Sequence, residues 1–165
     1  MFLFRNFLTG NNKIHQPLNI DRISQNQIPR TLNSHITRLA KHNTLKETLN
    51  KMPVFLKEIV GTINLPSDNG RQLAETIKSD RLLGASNGSL QGKEDGGYAF
   101  SIQQYKNNED RILGKEKVPT SNDMTSLTTE SYGMLGTQIL VILFSTQYSE
   151  EFQGTNNHPT IIVTN

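Results

Sequence analysis

Apolar positions along the chain follow two different periods, and a third stretch follows none. Over residues 1–30 single apolar residues beyond Leu8 are scattered among Asn and Gln, which predicts loop or disorder there. Helical spacing begins next: Leu32, Ile36 and Leu39 recur at three and four residues, with Arg38 and Lys41 on other faces. Asn43 offers an N-cap for a second segment through Leu45, Leu49 and Met52. Pro53 stops that segment and suits the first turn of a third, in which Val54, Leu56, Ile59 and Val60 are apolar. Ser67 can cap a fourth, with Leu73, Ala74 and Ile77 on one face. Residues 31–79 are therefore expected to form short helices on a polar background.

The period changes near Ser79-Asp80. Residues 81–86 are short and apolar, 96–103 alternate through Tyr98, Phe100 and Ile102, and 111–118 carry Ile112, Leu113 and Val118. Turn-rich stretches at 88–95 and 106–110 separate these three strand candidates, as in consecutive antiparallel hairpins. Ser121 or Asn122 can then cap a helix through Leu127, Met134 and Leu135 to Phe144, and 160–163 return to strand chemistry. The run Ile139 to Phe144 is continuous and rich in β-branched residues, so its period alone also allows a buried strand. Helix is preferred because the run continues a segment that starts at a cap, and a helix buried on most faces is the corollary.

Composition narrows the class. Hydrophobic content is 34% of 165 residues, below the roughly 45–50% of average globular chains, a figure that also counts Gly. A domain of about 100 residues with an extension fits that balance better than one uniform core. Net charge is only +2, compatible with nucleic acid without demanding it. Without Cys there are no disulfides, thiolate zinc sites or thiol nucleophiles, and an intracellular setting, cytoplasmic or nuclear, is the expectation. Residues 1–8 lack the charged start and small-residue cleavage pattern of a signal peptide, and Ile139 to Phe144 is too short to span a bilayer, so no membrane is expected.

Candidate chemistry lies where strands and helix end. Asn87-Gly88-Ser89 follows the first strand, Gly96-Gly97-Tyr98-Ala99-Phe100 opens the second, Thr128-Thr129-Glu130-Ser131-Tyr132-Gly133-Met134-Leu135 places a glutamate near a helix start, and Asn165 closes the last strand. In this order the segments resemble the ribonuclease H domain of retroelement reverse transcriptases. Residues 52–61 and 71–74 are similar to the linker that precedes this domain in some retrotransposon polyproteins. The resemblance implies an α/β fold: a ribonuclease H-like mixed sheet over 80–165 (strand, strand, strand, helix, strand), C-terminally truncated, behind a linker-like helical extension at 31–79. A sheet so truncated leaves an unpaired edge open to self-association.

The family's chemistry is hydrolysis of RNA in RNA/DNA hybrids by two divalent metals, usually Mg²⁺, held by acidic residues. By the resemblance Asn87, Glu130 and Asn165 stand at acidic catalytic positions, Asn87 and Glu130 are the metal positions, and Gly88 and Ser89 contact nucleic acid. An Asn carbonyl ligates only as a neutral dipole, so each Asn removes a unit of charge from a site that must hold two cations together. Weak or absent Mg²⁺ binding and loss of cleavage are expected, with a noncatalytic nucleic-acid or protein binding module as the alternative.

Plainer readings accompany each residue. Asn87-Gly88 alone suits a type I′ hairpin turn, Glu130 a solvated helix position, Asp95 and Asp123 turn and cap roles. His35 and His42 lie near no third ligand. Arg30, Arg38, Lys41, Lys46, Lys51 and Lys57 make a modest basic belt whose ordinary reading is a solvated helical surface.

Overall fold

Five strands form one open sheet, and the described helices lie on one side of it. The computed structural model describes residues 30–77, 81–92, 95–105, 111–118, 125–153 and 161–164. In chain order the elements are α1 (Arg30–Lys41), α2 (Leu45–Lys51), α3 (Val54–Val60), β1 (Thr62–Asn64), α4 (Arg71–Thr76), β2 (Leu82–Gln91), β3 (Asp95–Gln104), β4 (Arg111–Lys117), α5 (Ser126–Gln147), α6 (Ser149–Gln153) and β5 (Ile161–Thr164). The sheet order is β1-β4-β3-β2-β5. β2, β3 and β4 are successive antiparallel neighbours and β1 adds antiparallel to β4. β5 returns parallel to β2 after the helical crossover, with Leu83 opposite Ile161 and Ser86 opposite Thr164. The fold is α/β.

The ambiguous apolar run is helical. Residues 139–145 are all buried, because α5 lies against β2 and β3 on one side and against α1, α2 and α3 on the other. A helix held between two layers needs no polar face, which is why its period was uninformative. Leu45, Leu56 and Leu73 from the first half share one core with Phe100, Ile102, Ile112, Leu140 and Phe144. Helices α1, α2 and α3 thus cover the outer side of α5, and the same part of the chain supplies edge strand β1. No described helix is long and apolar enough to cross a membrane.

Caps differ from the sequence expectation by one to a few residues. Thr44, not Asn43, caps α2 in a reciprocal box with Glu47, while the Asn43 side-chain amide donates to the Leu39 carbonyl at 2.7 Å and closes α1. Asp68, not Ser67, serves α4 by accepting from the backbone N–H groups of Gly70 at 2.9 Å and Gln72 at 2.7 Å. Those bonds, Gln72 first, hold the Asp68 carboxyl below the ordinary carboxylate range. α5 starts from Thr125, boxed with Thr128. Ser121, Asn122, Asp123, the 106–110 turn, residues 1–29 and Asn165 lie outside the described residues.

Asn87-Gly88 is not a turn. β2 continues through it to Gln91, with Asn87 opposite Ala99 and Gly88 opposite Tyr98. The expected strand end at residue 86 was set by the loss of apolar residues, but backbone pairing to β3 carries the strand five residues further.

Candidate functional site

Unbroken register along β2 and β3 sorts their residues onto two faces. Leu82, Gly84, Ser86, Tyr98, Phe100 and Ile102 are buried toward α5. Gly88 belongs to that set: a Cβ there would run into the backbone of Thr129 and Glu130 and stand 2.6 Å from the Thr129 hydroxyl oxygen. Only a residue with no side chain lets the first turns of α5 rest on β2 at this level. Further along the seam Gly133 lies over Ser86 and Gly136 over the Phe100 ring, so the helix approaches the sheet along its small residues.

Tyr98 anchors the same seam from the strand side. Its hydroxyl is 2.6 Å from the Ile59 carbonyl and 3.1 Å from that of Glu58, at the end of α3. The ring stacks on Tyr132 of α5 at 5.8 Å. Burial, then the charge of Glu116 and the neighbouring Tyr132, push the Tyr98 hydroxyl well above the ordinary tyrosine range. Sheet, α5 and α3 are thereby tied around one phenol.

The opposite face carries Asn87, Ser89 and Ala99, all exposed, with Lys115 and Lys117 of β4 and Thr62 of β1. These residues line an open groove of ≈ 450 Å³ that also takes in Gly88, Gly97 and Glu116. Register explains the assembly, since Asn87 lies opposite Ala99, Ala99 opposite Lys115, and Lys115 opposite Thr62. One row of four strands therefore presents an amide, a methyl, an ammonium and a hydroxyl. Lys117 meets Asp95 at 3.4 Å in a largely exposed pair, which is worth little in water. Lys115 forms no ion pair among the described residues.

The expected site residues are brought partly together. Gly88 joins Asn87 and Ser89 in the groove by sequence, and its backbone abuts that of Glu130. Glu130 is half-buried in the second turn of α5, on the helix side of β2, whereas alternation puts Asn87 on the open face. Ser86, the residue before Asn87, pairs with Thr164, the residue before Asn165. As a two-metal centre the donor set does not fit: among the described residues no three or more His, Cys, Asp or Glu lie close enough to share an ion. Two cations a few ångströms apart need more negative charge than one glutamate supplies.

Lys115, Lys117 and Thr62 are groove residues that motif reading overlooked. For Lys115 and Lys117 a signal was present as alternation, since Arg111, Leu113, Lys115 and Lys117 occupy every second position of β4 beside the buried Ile112 and Gly114, whereas Thr62 joins them only through the pairing of β1 with β4. The basic belt, by contrast, lies elsewhere: Arg38, Lys41, Lys46, Lys51 and Lys57 are exposed on α1 to α3. No protein-family model, no curated protein and no solved structure matches the chain.

Proposed function

We propose that the chain is a ribonuclease H-like fragment of a retroelement reverse transcriptase that no longer cuts RNA/DNA hybrids and retains a noncatalytic hold on nucleic acid. The observation that carries the reading is the contact of Gly88 with the backbone of Thr129 and Glu130. It joins the Asn-Gly-Ser step of the first long strand to the glutamate of the crossover helix, the two segments that bear the resemblance. The parallel return of β5 beside β2 supports it by bringing a strand end to the same level. Loss of cleavage follows from charge: Asn87 is neutral where the chemistry needs a carboxylate. Retention of binding is favoured by Lys115 and Lys117 beside Asn87 and Ser89 in one groove.

A labelled RNA/DNA hybrid incubated with the protein in Mg²⁺ or Mn²⁺ tests the catalytic half. Intact hybrid is the expected result. Metal-dependent degradation abolished by Glu130→Gln would overturn it.

A further inference from the structure

Asn followed by Gly is the dipeptide most open to spontaneous loss of a side-chain amide, because Gly hinders ring closure least. The Gly nitrogen gives its proton to solvent and bonds to the Asn side-chain carbon, ammonia leaves, and water opens the resulting imide to aspartate or isoaspartate. The ring closes only where Cβ and the following nitrogen lie nearly eclipsed about the Cα–C bond. The sequence holds two such dipeptides, Asn69-Gly70 and Asn87-Gly88, and both pack against α5.

Asn87 lies in extended strand opposite Ala99, a backbone that keeps Cβ and the Gly88 nitrogen well out of eclipse. Rotation there has to turn the peptide joining Asn87 to Gly88, and Gly88 rests on the backbone of Thr129 and Glu130 in the first turns of α5. Asn69-Gly70 lies at the other end of the helix. Asn69 takes a φ of 58°, in the left-handed region, which sets Cβ and the Gly70 nitrogen nearly opposite. Its carbonyl accepts from the hydroxyl of Tyr148, the C-cap of α5, at 2.9 Å. Gly70 is buried, with Phe144 Cε2 3.1 Å from where a Cβ would stand. Its N–H is held by Asp68, whose carboxyl, kept below its ordinary range, is a weak base for the proton.

We propose that α5 guards both dipeptides against deamidation, one at each of its ends, so that each Asn loses its amide only when that end of the helix opens. Loss at Asn87 puts a carboxylate in place of a neutral amide in the groove. This inference is independent of any hold on nucleic acid.

Mass spectrometry of tryptic peptides 58–71 and 82–93, which carry one dipeptide each, tests it on the full chain aged in neutral buffer with and without urea. In the native parent both peptides are expected to gain the mass of amide-to-acid exchange at least about tenfold more slowly than in urea. Thr125→Ala removes the cap of α5 and should speed the Asn87 peptide alone, by about fivefold for a lost N-cap. Tyr148→Phe removes the hydroxyl bond to Asn69 and should speed the Asn69 peptide alone, by about fivefold for a lost hydrogen bond. Native rates equal to those in urea would overturn the proposal, as would variants that leave the rates unchanged or raise both peptides alike.

Discussion

On the helix-bearing face of the sheet, Ser86, Gly88, Tyr98, Phe100 and Gly114 meet α5, α3 or one another at distances that leave no room for an added carbon at the glycines. One residue along the same strands, Asn87, Ser89, Ala99 and Lys115 stand exposed around an open groove. The comparison separates what a strand position does from what its residue type suggests. Asn87 and Gly88 are adjacent in sequence and were read as one motif, yet one lines the groove with an exposed side chain and the other is fixed by backbone contact with the helix. Substitutions on the first face should change stability, and those on the second should change binding.

The largest expected effect is at Gly88. Gly88→Ala drives a Cβ into helix backbone, which cannot rotate away, and should destabilise the protein by about 3 kcal/mol, the upper part of the range for overpacking. Urea denaturation checks it, and an unchanged midpoint would break the assignment of this face. Gly114→Ala collides instead with the Phe100 ring and stands 2.7 Å from Ile63 Cδ1. Side chains can yield, so a loss of about 2 kcal/mol is expected, partly recovered in the double variant with Phe100→Leu if the two sites are coupled.

Tyr98→Phe removes the bond to the α3 carbonyls and should cost about 1 kcal/mol at neutral pH. Its titration gives a sharper sign. Because the folded protein holds the phenol protonated above its ordinary value of 10.0, this stability is full below that pH and is lost as pH rises past it, when the unfolded chain ionises first. The Phe variant should lose less stability over that alkaline window, leaving the smaller contribution of Tyr148, whose hydroxyl burial also shifts upward. The Ser86 hydroxyl is buried with no hydrogen-bond partner among the described residues, so Ser86→Ala should be neutral or stabilising by up to about 1 kcal/mol. Smallest of all, Lys115→Ala should leave stability within about 0.5 kcal/mol of the parent while weakening retention on nucleic acid.

Much of the fold was legible from period alone. Alternation through Tyr98, Phe100 and Ile102 marked β3 and its buried face, and the α5 helix followed from continuity of the apolar run with the segment through Leu127, Met134 and Leu135, although the cap is Thr125 rather than Ser121 or Asn122. β1 was missed because Thr62-Ile63-Asn64 is too short to show alternation and exists only by pairing with β4. The far half of β2 was missed because Leu90 is the one apolar residue from Asn87 to Gln91, too few to show alternation, and its pairing is a property of β3. Of the groove residues, motif reading singled out Asn87, Gly88 and Ser89 but not Lys115 or Thr62, which reach Asn87 only through register across the sheet. No local pattern in a single sequence reports such a row.

The proposed hold on nucleic acid is most directly tested by measuring retention of a labelled RNA/DNA hybrid over a range of salt concentrations, for the parent and for Lys115→Ala combined with Lys117→Ala. If the groove takes a phosphate backbone, affinity of the parent falls with salt with a log–log slope near −2 for about two phosphate contacts at roughly −0.9 each, and the double variant loses most of that slope. Retention that is absent in the parent, or that is as strong and as salt-dependent in the double variant, would contradict it.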